Sequence, residues 1–209
     1  MHARLLLLAL LPLALGCFPK SPGTTLAHFA DQAPAEGAAA PLFELQDLEG
    51  APVQLAELIG DKPVVVQLGS HSCPVYRYRR HTMDNLWEEY EGRVHFLVVY
   101  TREAHPVGSE SPYRDGEWDP MINRLTGARV AEPQTLEERR ETASYSRQEL
   151  ELPVPVLVDD MENSVWSAYG AAASPGFVID TEGRIALRQV WLNPKEIKRT
   201  LDGLLLEER

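Results

Sequence analysis

The sequence predicts an α/β domain, a mixed central sheet with helices on both faces, and three observations carry that prediction. Residues 64–68 and 94–100 are almost unbroken apolar runs of strand length, as expected of strands covered on both faces. Helical patterns alternate with short apolar runs along the chain, in the order hairpin, βαβ, αβ, α, ββ, α. The chain has 209 residues, 44% hydrophobic and 24% charged, enough for one sizeable core and no more than one expected domain.

Taken in order, residues 1–16 read as a signal peptide. Arg4 supplies a short positive region, and the apolar run over 5–15 is too short to span a membrane comfortably. Leu13-Ala14-Leu15-Gly16-Cys17 resembles a bacterial lipobox, which implies lipidation at Cys17 and a place on the periplasmic side of a bacterial cell envelope. A plain secretory signal is the alternative. Residues 17–41, rich in Ala, Pro and Gly, are expected to be a flexible linker, and 42–209 the folded domain.

Residues 43–48 alternate, Glu49-Gly50 turns, and 53–55 follow, which predicts a small hairpin. Pro74 suits the first turn of a helix reaching about residue 90, with Met83, Leu86, Trp87 and Tyr90 on one face. From 101 to about 132, Pro106, Gly108, Pro112, Gly116 and Pro120 argue against a long regular element. A charged helix over about 133–150 follows, then a strand at 154–158, a short helix at 162–169, and strands at 176–180 and 185–190. Asn193-Pro194-Lys195-Glu196 reads as the start of a last helix, with Asn193 as cap and Glu196 reaching back to it.

Of the two cysteines, Cys17 belongs to the leading segment, which leaves Cys73 without an internal partner. Ser70 and Tyr76 stand three residues to either side of it, so the paired cysteines of a dithiol oxidoreductase are absent. Cys73 follows an apolar strand and opens a helix, a placement that favours thiolate and predicts an exposed nucleophile. Its resolution would require an outside thiol.

The element order, with a cysteine after the first core strand and Ser174-Pro175 before the next-to-last strand, resembles the thioredoxin fold. That resemblance implies a cis-proline at Pro175 facing the site. Gly69-Ser70-His71-Ser72-Cys73-Pro74 is similar to the Gly-Ser-Cys-Thr-Sec-Pro motif of the iodothyronine deiodinase family, with Cys73 at the selenocysteine position. The strand ending in Glu103-Ala104-His105 resembles that family's Glu-Ala-His element, and Asp160-Met161-Glu162-Asn163 and Ala168-Tyr169-Gly170-Ala171 its later segments. The likeness spans residues 42–192. Sulfur in place of selenium implies a higher pKa and slower chemistry. His71 stands where the family has an auxiliary cysteine, and Asp115-Gly116-Glu117-Trp118 departs from the family's Asp-Gly-Trp.

The resemblance implies a thiol-dependent oxidoreductase that dehalogenates a small aromatic molecule. Cys73 would take the halogen, His105 donate the proton and Glu103 orient the imidazole. Ser70, His71, Trp118, Ser174 and Pro175 are the supporting candidates: a cationic His71 would lower the thiol pKa, and Trp118 would stack on the substrate or pack the loop. A one-cysteine thiol peroxidase is a rival, because Ser70 lies three residues before Cys73 where peroxiredoxins place Thr or Ser, although Val66 replaces the Pro of their pattern. A non-catalytic envelope binding module is a third reading. No cofactor is expected beyond an external thiol or thioredoxin-like reductant, and a homodimer is possible. His71, Cys73 and His81 lack the spacing of an established metal site. A formal charge of −11 argues against a nucleic-acid partner. The basic run Arg77, Arg79, Arg80 reads as a solvated face or an anion site.

Overall fold

A computed structural model describes residues 24–207. The predicted signal peptide, Cys17 and residues 17–23 of the expected linker lie outside the described residues.

The chain forms α1 (Thr24–Gln32), β1 (Glu44–Asp47), β2 (Pro52–Gln54), α2 (Leu55–Leu58), β3 (Val64–Gly69), α3 (Pro74–Tyr78), α4 (Arg80–Tyr90) and β4 (His95–Tyr100). It continues with α5 (Met121–Thr126), α6 (Leu136–Leu150), β5 (Val156–Val158), α7 (Ser164–Ala168), β6 (Gly176–Ile179), β7 (Ile185–Gln189) and α8 (Pro194–Glu207). One mixed sheet runs in the order β2-β1-β5-β4-β3-β6-β7. β3 pairs parallel with β4 and antiparallel with β6, and β4 pairs parallel with β5.

The apolar runs work as predicted. In β3, Val64, Val66 and Leu68 face one core, while Val65 faces the other, as a period of two requires. β4 divides likewise: Leu97 and Val99 on one side, Phe96, Val98 and Tyr100 on the other. α1, α2 and α7 cover the first face through Phe29, Ala33, Leu55 and Val165. α3, α4, α6 and α8 cover the second through Tyr76, Met83, Leu86, Ala143 and Ile197, and Cys73 belongs to this face. Gly69 is required there, because a Cβ would lie 2.2 Å from the Tyr76 ring.

The expected linker is ordered from Thr24 onward. Phe29 is buried with its ring 6.0 Å from that of Phe177, and Arg188 donates to the carbonyls of Ala30 and Ala33 at 3.3 and 2.9 Å. Gly170 lets Ala33 approach, since a Cβ at that position would stand 2.7 Å from the Ala33 side chain. One aromatic anchor thus orders a stretch whose composition reads as a tether. The single helix expected over 74–90 is two, separated at Arg79. Arg80 donates to the Leu150 carbonyl at 2.5 Å, so α4 is aligned by α6 rather than by continuing α3. The irregular region contains one short helix, α5. At α8, Asn193 caps as expected, accepting from Lys195 N at 3.2 Å, but Glu196 accepts from Gln189 at 2.6 Å instead of reaching back. Gln189 takes that role, accepting from Asn193 N at 2.8 Å. Among the described residues no helix is long and apolar enough to cross a membrane.

Candidate active site

β3 and β4 end side by side, with Gly69 opposite Tyr100. The loops that leave them, 70–73 and 101–105, start at the carboxyl ends of parallel strands, where α/β sheets place ligands. Five hydrogen bonds stitch the two loops. Thr101 N donates to Gly69 O (2.9 Å), His71 N to the Tyr100 hydroxyl (3.1 Å) and Ala104 N to Ser70 Oγ (3.0 Å). Ser72 N donates to Glu103 Oε2 (2.8 Å), and His105 N to Ser72 Oγ (2.9 Å). The backbone around Cys73 is therefore fixed by the side chains of both loops.

Cys73 caps α3 with extended backbone and no side-chain capping hydrogen bond, with the amides of Val75 and Tyr76 on its sulfur's side. It differs from expectation in exposure: the residue is 2% exposed, and burial pushes its thiol up to about 11. The two amides and the Arg77 charge favour thiolate, and the Glu103 charge opposes it, but dehydration is the largest effect. A five-residue helix has too few aligned peptides to reverse that.

Glu103 is fully buried just past the end of β4. Its carboxyl accepts from Ser72 N and from the Tyr100 hydroxyl, and its own N–H donates to Glu132 Oε2 at 2.8 Å. Burial raises its pKa to about 6 against the opposing pull of the Ser72 and Tyr100 hydrogen bonds. His105 faces Trp118: Nδ1 lies 3.2 Å from the Trp118 carbonyl and the rings meet edge to face with centroids 4.4 Å apart. A carbonyl only accepts, so Nδ1 carries the proton and the Nε2 lone pair is the basic position. Burial holds the imidazole below its usual pKa, so it is neutral at pH 7.

His71 turns away from this group. Its Nδ1 lies 3.3 Å from Ser146 Oγ, its ring packs on Tyr145 with centroids 5.0 Å apart, and burial lowers its pKa to about 4. It is neutral, so it supplies no positive charge to lower the Cys73 pKa; a small pull in that direction comes from Arg77. The Ser174–Pro175 bond differs too: no described peptide bond is cis, trans being the lower-energy form, and Pro175 O accepts from Leu68 N at 3.0 Å. Ser174 is fully buried two residues before β6. Ser70 is tied to Ala104, and Trp118 packs against His105.

Sequence reasoning missed four participants. Tyr100 looks like a strand residue and Ser72 like a flanking polar residue, yet both hold Glu103. Glu132 supports the Glu103 backbone, and Asn123 donates to the Ser72 carbonyl at 2.8 Å. The alternation of β4 marks Tyr100 as facing the cysteine side; the other three depend on how a long loop folds back. Within the basic run, Arg77 bonds Asn123 and Thr126 and Arg80 bonds the Leu150 carbonyl, so both serve as structural clasps.

A parallel β3–β4 pair flanked by the antiparallel β6 and β7, with a helix-capping cysteine beyond β3, defines a thioredoxin-like protein. A secreted disulfide oxidoreductase from Mycobacterium tuberculosis shares the fold, with a TM-score of 0.53 at 15% identity over 78% of this chain and 96% of that one. The iodothyronine deiodinase family profile matches residues 23–195, and the chain belongs to that family. It is 30% identical over 155 residues to thyroxine 5-deiodinase of Rattus norvegicus, covering 70% of this chain and 45% of the relative. Over 126 residues it is 30% identical to that of Sus scrofa, covering 58% and 36%. The chain spans less than half the length of these relatives.

Proposed function

We propose that the protein is a thiol-dependent oxidoreductase that removes halogen from an aromatic substrate through Cys73. Family membership supports the oxidoreductase class. The observation that supports the finer reading is the pair of hydrogen bonds from Ser72 N to the Glu103 carboxylate and from His105 N to Ser72 Oγ, which fixes the backbone of the loop bearing His105 against the loop bearing Cys73 and holds a carboxyl of pKa about 6 between them.

The protonation states suit one balanced step. Cys73 is a thiol at rest, and in this reading His105 Nε2 takes its proton. The sulfur forms a bond to the halogen as the carbon–halogen bond breaks. The electron pair of that bond stays on the ring carbon, which receives the proton from His105. The ring is reduced by two electrons, and the sulfur becomes a sulfenyl halide. A first external thiol attacks that sulfur, releasing halide and a proton and leaving a mixed disulfide. A second thiol releases Cys73 as thiol and departs as an external disulfide. Glu103 orients the loop and steadies positive charge while the imidazole is protonated.

The test is halide release from an ortho-iodinated phenol with dithiothreitol, comparing wild type with Cys73→Ala. Release that disappears in the variant supports the reading. Cys73-dependent consumption of hydrogen peroxide without halide release replaces it with the peroxidase, and neither activity replaces it with a binding module. Lipid anchoring at Cys17 is part of the proposal, checked by labelled fatty-acid incorporation that Cys17→Ala abolishes.

A further inference from the structure

Cys73 is buried, and the region between β4 and α6 lies among its neighbours. Tyr113 and Trp118 pack in the same cluster as the cysteine, and Asn123 of α5 is completely buried against its loop. The ends of the region are pinched together where Val107 N donates to Val130 O at 2.9 Å, and left-handed glycines stand inside that pinch at Gly108 and Gly127. The outer face of α5 differs in character: Met121 is 75% exposed and Leu125 76%. Few apolar contacts therefore hold α5 down. What holds it is polar. The Asn123 amide donates to Ser72 O at 2.8 Å and accepts from Arg77 at 2.9 Å, and Arg77 donates to Thr126 at 3.0 Å.

We propose that residues 106–127 are a lid over Cys73, and that Asn123 is the latch holding it shut by bridging the Ser72 carbonyl to Arg77. One amide ties the backbone beside the cysteine to α5 and α3 together, so losing it frees the lid at one point. The segments that open locally are those with few buried apolar contacts, and α5 has that construction while β3 and β4 do not. Opening the lid lets water and substrate reach the sulfur, and closing it returns the thiol to its buried, protonated state. The inference rests on Cys73 being the reacting atom but not on which substrate it meets, and its readout is thiol access rather than turnover.

The experiment measures site-resolved alkylation of Cys73 by iodoacetamide in the full chain, with urea unfolding midpoints taken alongside. Asn123→Ala removes both amide bonds and should speed alkylation about tenfold. Leu125→Ala on the outer face should leave the rate within about twofold of wild type. Arg77 is left intact because its charge also acts on the thiol. An Asn123→Ala rate near wild type overturns the latch, as does an increase matched by the drop in global stability. If that variant does not fold, hydrogen exchange in the wild type decides. Amides of α5 that open well before those of β3 and β4 support the lid; amides that open only with the whole domain overturn it. A failed dehalogenation assay leaves these outcomes unchanged, so the two readings fail separately.

Discussion

Glu103 and Asp159 follow the adjacent parallel strands β4 and β5, both are fully buried, and burial raises each to a pKa of about 6. They nevertheless do different work. Asp159 accepts from the backbone N–H groups of Asp160 (3.0 Å), Val165 (3.1 Å) and Trp166 (3.0 Å), which fixes the start of α7. Glu103 accepts from Ser72 N and from the Tyr100 hydroxyl, and its charge acts on the Cys73 thiol. A displaced pKa measures dehydration, and dehydration is shared by caps and by reactive sites. The distinction lies in whether the carboxylate spends its lone pairs on a helix end or on the loop that carries Cys73.

The sharpest way to break the comparison is to neutralise each carboxylate in turn. Glu103→Gln should lower turnover about a hundredfold with a small change in unfolding midpoint. Asp159→Asn should do the reverse, costing about 2 kcal/mol of stability and leaving turnover per folded molecule near wild type. Steady-state halide release and urea unfolding on both variants check this; equal loss of turnover in the two would erase the distinction.

A second expectation concerns pH. A carboxyl whose folded pKa exceeds its unfolded value binds more protons when folded, so stability falls as pH rises from the ordinary carboxylate range to about 6. His71 works in the opposite sense. Its folded pKa of about 4 lies below its unfolded 6.5, so it contributes stability above that upper value and loses it as pH falls toward 4. Glu103→Gln and Asp159→Asn should each flatten the decline between pH 4 and 6, and His71→Gln should steepen it, as read from urea midpoints across that range. The smallest effect is expected at Trp118. Trp118→Leu removes the edge contact on His105 and should shift the pH profile of turnover while changing its maximum only about threefold.

The fold was readable where burial on both faces writes itself into composition, as in β3 and β4. α1 was not, because a single buried Phe29 among Ala, Gly and Pro gives no periodic signal. Nor was the break at Arg79, because Arg is a good helix former and gives no local stop signal. Within the site, Cys73 was singled out by its place after a strand, and Glu103 and His105 by their resemblance to the deiodinase Glu-Ala-His element. The state of the cysteine was not. Helix position predicts a low pKa and burial a high one, and only the fold of residues 101–132 shows that burial prevails.

The packing of α1 sets an orientation. Phe29 and Ala33 lie on the face formed with Phe177 and Tyr169, while Cys73 lies on the opposite side of the sheet. The helix that opens the described chain and the thiol are therefore approached from opposite sides of one sheet, so a substitution at Phe29 or Ala33 reaches Cys73 only through the strands between them.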